Sequence, residues 1–184
     1  MSSKLFIISG PSGSGKSSIA RAVMTNEVVS FTTRQPRAGE VNGRDYIFIS
    51  QEKFDYLLNS NGLAEYTTYY GNASYGITMD ELRYRLEKGD AFVVVDIVGK
   101  RQLEEIYPNT VSVFVWVPYA GILENRMMSR GDSWENIQKR AKTMDEENNN
   151  FYEYDYLIDN TGNFEDSIEA FKAIVSGEFD TSIE

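Results

Sequence analysis

Eight residues near the start of the chain, Gly10-Pro11-Ser12-Gly13-Ser14-Gly15-Lys16-Ser17, constrain its fold more than any others. They fit G-x-x-x-x-G-K-[ST], a glycine-rich loop that wraps an anion. Before them runs Lys4-Leu5-Phe6-Ile7-Ile8-Ser9, a short apolar stretch that reads as a buried strand. After them Ile19, Ala22 and Val23 recur at helical spacing. Strand, glycine loop and helix form the setting in which such a loop works. Glycine lets the backbone close on an anion without Cβ clashes. The loop N–H groups and the helix N-terminus then point at phosphate oxygens. Lys16 supplies a mobile cation for the outer phosphates, and the Ser17 hydroxyl can hold Mg²⁺. The alternative is a glycine-rich turn with a chance lysine, against which all eight positions and both flanks speak.

Composition narrows the chemistry. A length of 184 residues with 41% apolar content supports one domain with small inserted lobes. No run approaches the ~18 apolar residues of a membrane span, and no basic-then-apolar leader opens the chain. The expectation is a cytoplasmic protein without a membrane partner. Cysteine and histidine are both absent. Disulfides, thiolate metal sites, imidazole bases and Ser-His-Asp hydrolysis are thereby excluded. The net charge of −10, from 28 acids against 18 bases, argues against nucleic acid as a partner. Nucleotides stay open, because a few converging arginines can overcome the global field.

The expected elements follow in order. Glu27–Ser30 reads as a short strand. Phe31–Tyr46 is a polar, turn-rich loop with Arg34, Arg37 and Arg44; Pro36 and Gly39 argue against a helix there. Arg34 and Arg37, followed by Tyr46, suit a dianionic phosphate, because arginine offers a planar fork of donors. An exposed loop with solvated charges is the plainer alternative. Asp45–Ile49 alternates like a strand, Ser50 can cap a helix burying Phe54, Leu57 and Leu58, and strands follow at 63–70 and 74–78 around a Gly71-Asn72 turn. Strands this close together should pair mainly antiparallel. Six of the twelve tyrosines fall in this region, most of them as packing.

Helix 79–88 precedes Ala91–Asp96, an apolar run that reads as a central parallel strand. Its terminal acid, Asp96, lies where ligands sit in such sheets, or else caps the next helix, 98–106. Val111–Val117 is another buried strand. Helix 119–129 carries Arg126 on one face with Arg130, Gly131 breaks it, and a second helix from Trp134 to about Phe151 holds Arg140. Two arginine-bearing helices around a glycine read as a mobile lid; a helical hairpin with surface arginines paired to Glu124 or Glu135 is the alternative. Tyr156–Asp159 is the last strand. Phe164, Ile168, Phe171 and Val175 mark a final amphipathic helix, and the acidic tail after Gly177 is expected to fray.

Together these residues resemble the guanylate kinase family over nearly the whole chain. Ile8–Ser17 looks like that family's P-loop. Thr32-Thr33-Arg34-Gln35-Pro36-Arg37-Ala38-Gly39-Glu40-Val41-Asn42-Gly43-Arg44-Asp45-Tyr46-Ile47-Phe48 resembles its most distinctive stretch, and Arg126–Gly131 with Ile137–Arg140 resembles its lid. The resemblance implies a three-layer α/β P-loop NTPase fold. It would have a parallel five-stranded sheet, an inserted mixed-sheet acceptor lobe at 30–79, a helical lid at 126–145, and a core of 1–29, 80–125 and 146–184. It implies phosphorylation of GMP or dGMP by ATP with Mg²⁺ held at Ser17. ATP would be bound by Gly10 through Ser18 and by Arg130. Lys16, Arg34, Arg126 and Arg140 would be catalytic. Ser30, Arg34, Arg37, Tyr46, Glu65, Tyr75, Ile77 and Asp96 would bind the acceptor, with Glu65 reading the N1 and N2 donors of guanine.

The departures cluster around the base. The family's D-x-D-x-Q-G is Asp96-Ile97-Val98-Gly99 here, with one acid gone. Its N-Y-Y-G-[ST] becomes Asn72-Ala73-Ser74-Tyr75-Gly76-Ile77-Thr78, so Ile77 stands where a hydroxyl meets guanine unless Thr78 shifts into its place. Two rivals remain open: a P-loop kinase for another monophosphate or a ribose phosphate, and a non-catalytic binding module. Intact Lys16, Ser17 and lid arginines speak against the module. A P-loop GTPase is disfavoured because no N-K-x-D-type base reader follows a strand.

Overall fold

The computed structural model describes residues 2–37, 39–69 and 73–178. The Gly71-Asn72 turn, Tyr70, Ala38 and the end of the acidic tail lie outside the described residues. The chain divides into two compact units. One holds Asn26–Thr110 with the first residues to Leu5; the other holds Phe6–Thr25 and the chain from Val111 onward.

The described strands make two four-stranded sheets, ordered β6-β1-β7-β8 and β3-β2-β5-β4. In the first, β1 (Leu5–Ser9), β6 (Ala91–Val94), β7 (Thr110–Trp116) and β8 (Tyr156–Asp159) are short and largely apolar, the pattern of a sheet covered on both faces. β7 and β8 run parallel, with Val113 opposite Tyr156 and Trp116 opposite Asp159. The expected fifth strand at 27–30 is not formed. Glu27 makes one isolated bridge to Phe92. Beyond it, the Val29 N–H turns to the Glu81 carboxylate (3.4 Å) and the Ser30 carbonyl accepts from Ile47 N (2.9 Å), so the ladder ends.

The second sheet lies wholly in the first unit. β4 (Leu63–Tyr69) and β5 (Ala73–Thr78) are antiparallel, and β5 pairs antiparallel with β2 (Phe31–Thr32). β3 (Ile47–Phe48) is the exception, running parallel to β2. It is shorter than the expected 45–49 because Asp45 is used up in a turn, its carboxylate accepting from Val41 N at 2.9 Å.

Side-chain caps set the helix starts here. Ser50 opens α2 (Gln51–Asn59), Thr78 opens α3 (Met79–Glu87) and Asp96 opens α4 (Ile97–Ile106), each accepting from an N–H of the first turn.

In the second unit α1 (Lys16–Val23) packs on α7 (Phe164–Ser176). Phe6 meets Phe171 edge-on, ring centroids 6.3 Å apart. Burying each such ring stabilises the fold by roughly 2–3 kcal/mol. The apolar stripe of α7 is Ile168, Phe171 and Ile174. Phe164 is 39% exposed, and Ile174 takes the buried place expected of Val175. α5 (Ala120–Ser129) and α6 (Trp134–Asn148) are joined through the buried cluster Val117, Leu123, Met127, Ile137 and Met144. Helix α6 stops before Phe151, which begins a single 3₁₀ turn.

Candidate active site

The loop after β1 is shaped by what lies under it. Gly15 has φ 96°, and a Cβ there would stand 2.5 Å from Asn160 Nδ2. It precedes α1 without any side-chain cap, so the first-turn N–H groups stay available to an anion. Lys16 folds back over the loop, its ammonium donating to the carbonyls of Gly10 (2.6 Å) and Pro11 (2.8 Å). Burial pushes its pKa down to about 8; Glu147 opposes that shift, and Arg140 and Arg130 add to it.

The α5–α6 segment meets this loop within the same unit. The Arg140 guanidinium donates to Ser12 Oγ. Arg126 donates through Nη2 to the Asn160 carbonyl (2.9 Å), while its Nη1 is buried without a hydrogen-bond partner. A buried cationic donor left unsatisfied is costly. The Ser14 hydroxyl beneath the loop is likewise buried and unpartnered. Arg130 pairs with Asp132 rather than with Glu124 or Glu135, and Glu135 pairs with Lys139 at 2.8 Å. Gly131, at φ 87°, makes the break between the two helices. Ser17 lies in the first turn of α1, and Ser18, next to it, is exposed.

Asn160, at the carboxyl end of β8, is not among the residues expected from the sequence. It is 2% exposed. Its Nδ2 donates to the Ser14 carbonyl (2.7 Å), and its Oδ1 accepts from Ser167 Oγ (2.9 Å). Its backbone carbonyl holds Arg126, so one residue ties the loop floor to α5. The available signal was a polar residue closing an apolar strand, where α/β sheets gather ligand groups.

The arginine loop in the other unit converges on Arg34. Its Nε donates to the Tyr75 hydroxyl (3.1 Å) and its Nη1 to the Gln35 carbonyl (2.8 Å). Glu40 takes the end of the fork, at 2.9 Å from Nη1 and 2.8 Å from Nη2. The guanidinium also lies over the Tyr46 ring, 5.2 Å from its centroid, and Tyr46 packs against Tyr75 at 5.8 Å. Burial raises the Tyr46 pKa, keeping the phenol a proton donor. Register explains the grouping: Thr32 on β2 stands opposite Tyr75 on β5. Arg37 joins through its backbone N–H, which donates to Glu40 Oε2 at 2.7 Å. Ser30 is half-buried at the foot of the loop.

Glu65, on β4, is 3% exposed. Burial, with the Asp96 charge adding to it, pushes its pKa up to about 8. Asp96 also fills the capping role open to it, accepting from Gly99 N at 2.7 Å. A Cβ on Gly99 would stand 3.0 Å from Glu65 Oε2, so the helix start is small where the carboxylate needs space. Gln102 clamps the neighbouring backbone, accepting from Tyr66 N and donating to Tyr66 O, both at 3.0 Å. Ile77 stands directly across from Glu65 in the ladder and is fully buried. The Thr78 hydroxyl is occupied as the α3 cap, accepting from Glu81 N at 3.2 Å.

The model of the family described as guanylate kinase matches residues 2–178. The chain belongs to the guanylate kinase family. It is 38% identical over 183 residues to the guanylate kinase of Pasteurella multocida (strain Pm70), covering 95% of this chain and 88% of that one. To the guanylate kinase of Bacillus subtilis (strain 168) it is 35% identical over 182 residues, with the same coverage. A crystal structure of guanylate kinase from Anaplasma phagocytophilum superposes with a TM-score of 0.77 at 26% identity, covering 98% of this chain and 88% of that one. The fold is α/β, with a parallel sheet and a separate mixed sheet, and it matches that of the Anaplasma phagocytophilum enzyme.

Proposed function

We propose that this chain transfers the terminal phosphoryl group of ATP to GMP or dGMP. The observation that carries the reading is the cationic set around the glycine loop. Lys16 lies over the loop, Arg140 touches Ser12, and Arg126 presents a buried, unpartnered Nη1. Phosphoryl transfer asks a protein for positioning and charge neutralisation more than for a strong base. A chain without histidine or cysteine can therefore run it.

The division of labour follows from the two clusters. Gly10–Ser18 and Arg130 bind ATP. Lys16, Arg126 and Arg140 neutralise the phosphoryl group in flight, Lys16 leaving the Gly10 and Pro11 carbonyls to do so. The residues fit a Mg²⁺–nucleotide: Ser17 offers one hydroxyl, and no cluster of three or more acidic or other metal-ligating side chains occurs among the described residues. The ion would then take its remaining oxygens from the phosphates and water, and would supply charge neutralisation on them. Arg34, Arg37, Tyr46 and Tyr75 hold the acceptor phosphate, with Ser30 at the foot of the site. Glu65 accepts from N1 and N2 of guanine, and Asp96 adjusts its charge. Residues 30–79 act as the acceptor lobe, and 126–145 as a lid that excludes water.

A second reading, another purine as acceptor, draws on one observation. Ile77, buried in the ladder across from Glu65, carries no hydroxyl, and the Thr78 oxygen accepts the α3 cap bond. The test is ADP formation with ATP, Mg²⁺ and each nucleoside monophosphate in turn. Turnover restricted to GMP and dGMP is the expected result. Turnover on AMP or a pyrimidine instead would keep the kinase and remove guanine.

A further inference from the structure

The acceptor cluster contains a carboxylate where an anion is to bind. Glu40 and Arg34 are both mostly shielded, at 18% and 16% side-chain exposure. The pairing is bidentate, the stronger and more directional form of an arginine–carboxylate contact. Glu40 is also tied to the turn that carries Arg37. Its own N–H donates to the Arg37 carbonyl at 3.1 Å, and its carboxylate accepts from the Arg37 N–H at 2.7 Å. A negative charge beside a phosphate site repels the ligand, so its place there calls for a compensating role.

The arrangement of donors supplies one. Nε is committed to Tyr75, Nη1 to Gln35 and Glu40, and one N–H of Nη2 to Glu40. With the carboxylate across the end of the fork, the second N–H of Nη2 lies on the Nε edge, where the Tyr75 hydroxyl stands. We propose that Glu40 is the positioning residue of the acceptor-phosphate site: it fixes the rotation of Arg34 so that its Nη2 edge and Tyr75 face the phosphate together, and it locks the Arg37 turn to the same carboxylate. The proposal rests on the reading of Arg34 as a phosphate ligand. Glu40 touches neither phosphate nor base in this account; it acts through Arg34 and Arg37.

The experiment compares GMP with guanosine, which lacks the phosphate, by calorimetric titration of the full chain. Wild type, Glu40→Gln, Glu40→Asp and Arg34→Met are compared, with melting curves to establish folding. The Glu40→Gln side chain places an amide donor against a guanidinium donor. The shorter aspartate cannot reach both Nη atoms while holding the Arg37 turn. Both Glu40 variants should lose about tenfold in GMP affinity with guanosine affinity unchanged. In turnover the loss should appear in KM for GMP, with kcat and KM for ATP nearly unchanged. A merely structural role would lower both ligands' affinities together. If both Glu40 variants keep the wild-type GMP-to-guanosine ratio, or if Glu40→Gln binds GMP more tightly, the positioning role is overturned. If Arg34→Met also keeps that ratio, the underlying phosphate assignment has failed instead.

Discussion

Binding of guanine to Glu65 should be coupled to the release of a proton. Guanine presents two donors, N1–H and N2–H, and only an ionised carboxylate offers two acceptors with no proton of its own in the way. In the ligand-free protein, burial and the Asp96 charge hold the Glu65 pKa at about 8. At pH 6 only about one molecule in a hundred then has the ionised form, at pH 7 about one in ten, and at pH 8 about half. Affinity should therefore rise about ninefold from pH 6 to pH 7 and about fivefold from pH 7 to pH 8. The assay is calorimetric titration in buffers of differing ionisation enthalpy, which counts the proton directly. Guanosine is titrated beside GMP because a phosphate has its own ionisation near pH 6. About one proton should leave per guanosine bound at pH 6 and about half a proton at pH 8. Glu65→Gln should bind more weakly and show no pH dependence below pH 8. Affinity flat from pH 6 to pH 8, with no proton released, would refute the coupling.

The same group has a signature in stability. A carboxyl raised from 4.5 to about 8 in the fold binds more protons native than unfolded between those values. Its contribution is fully present below pH 4.5, declines above it and is lost by about pH 8, at most about 5 kcal/mol in all. Denaturant melts of the wild type against Glu65→Gln across that range check the sign. Lys16, lowered from 10.5 to about 8, acts in the opposite direction: its charged form is disfavoured in the fold, so stability of the ligand-free protein should rise between pH 8 and pH 10.5. Lys16→Met should abolish that rise and cut kcat by about 10²-fold or more. Asn160→Ala should lower kcat about tenfold or more with KM for GMP unchanged, and lower stability by about 1–3 kcal/mol, because it leaves the Ser14 carbonyl and Ser167 hydroxyl without their buried partner. Ile77→Ser should destabilise by about 2–4 kcal/mol through the lost buried side chain. It should also widen the preference for GMP over AMP by placing a hydroxyl beside Glu65, as read by the ratio of kcat/KM values.

Much of this was legible because it is local. The strand–loop–helix around Lys16 is contiguous in sequence, and so are the Ser50 cap and the run Tyr156–Asp159. The fold class follows from such runs, although among the described residues the parallel sheet has four strands, not five. A four-residue stretch such as Glu27–Ser30 has no way to announce that the hydrogen bonds of Val29 and Ser30 go to a side chain and to another sheet. The parallel pairing of β3 was hidden for the same reason: proximity in sequence favours antiparallel neighbours, and a turn built on Asp45 overrode it. Asn160 and Gln102 were missed because each acts on a partner distant in sequence, which leaves no motif; Glu40 stands inside the distinctive arginine stretch, but its hold on the Arg34 fork and the Arg37 N–H shows only in the structure. In the sequence Asp96 reads as either a site acid or a cap; in the structure it caps α4, and its charge also raises the pKa of Glu65.

Transfer of a phosphoryl group from one nucleotide to another is visible in phosphorus NMR of a single reaction. The protein is mixed with ATP, Mg²⁺ and GMP, and the resonances are followed with time. The γ-phosphate signal of ATP should decline while ADP and GDP grow in equal amounts, with no inorganic phosphate. ADP accompanied by inorganic phosphate and unchanged GMP, or no change at all, would contradict such a transfer.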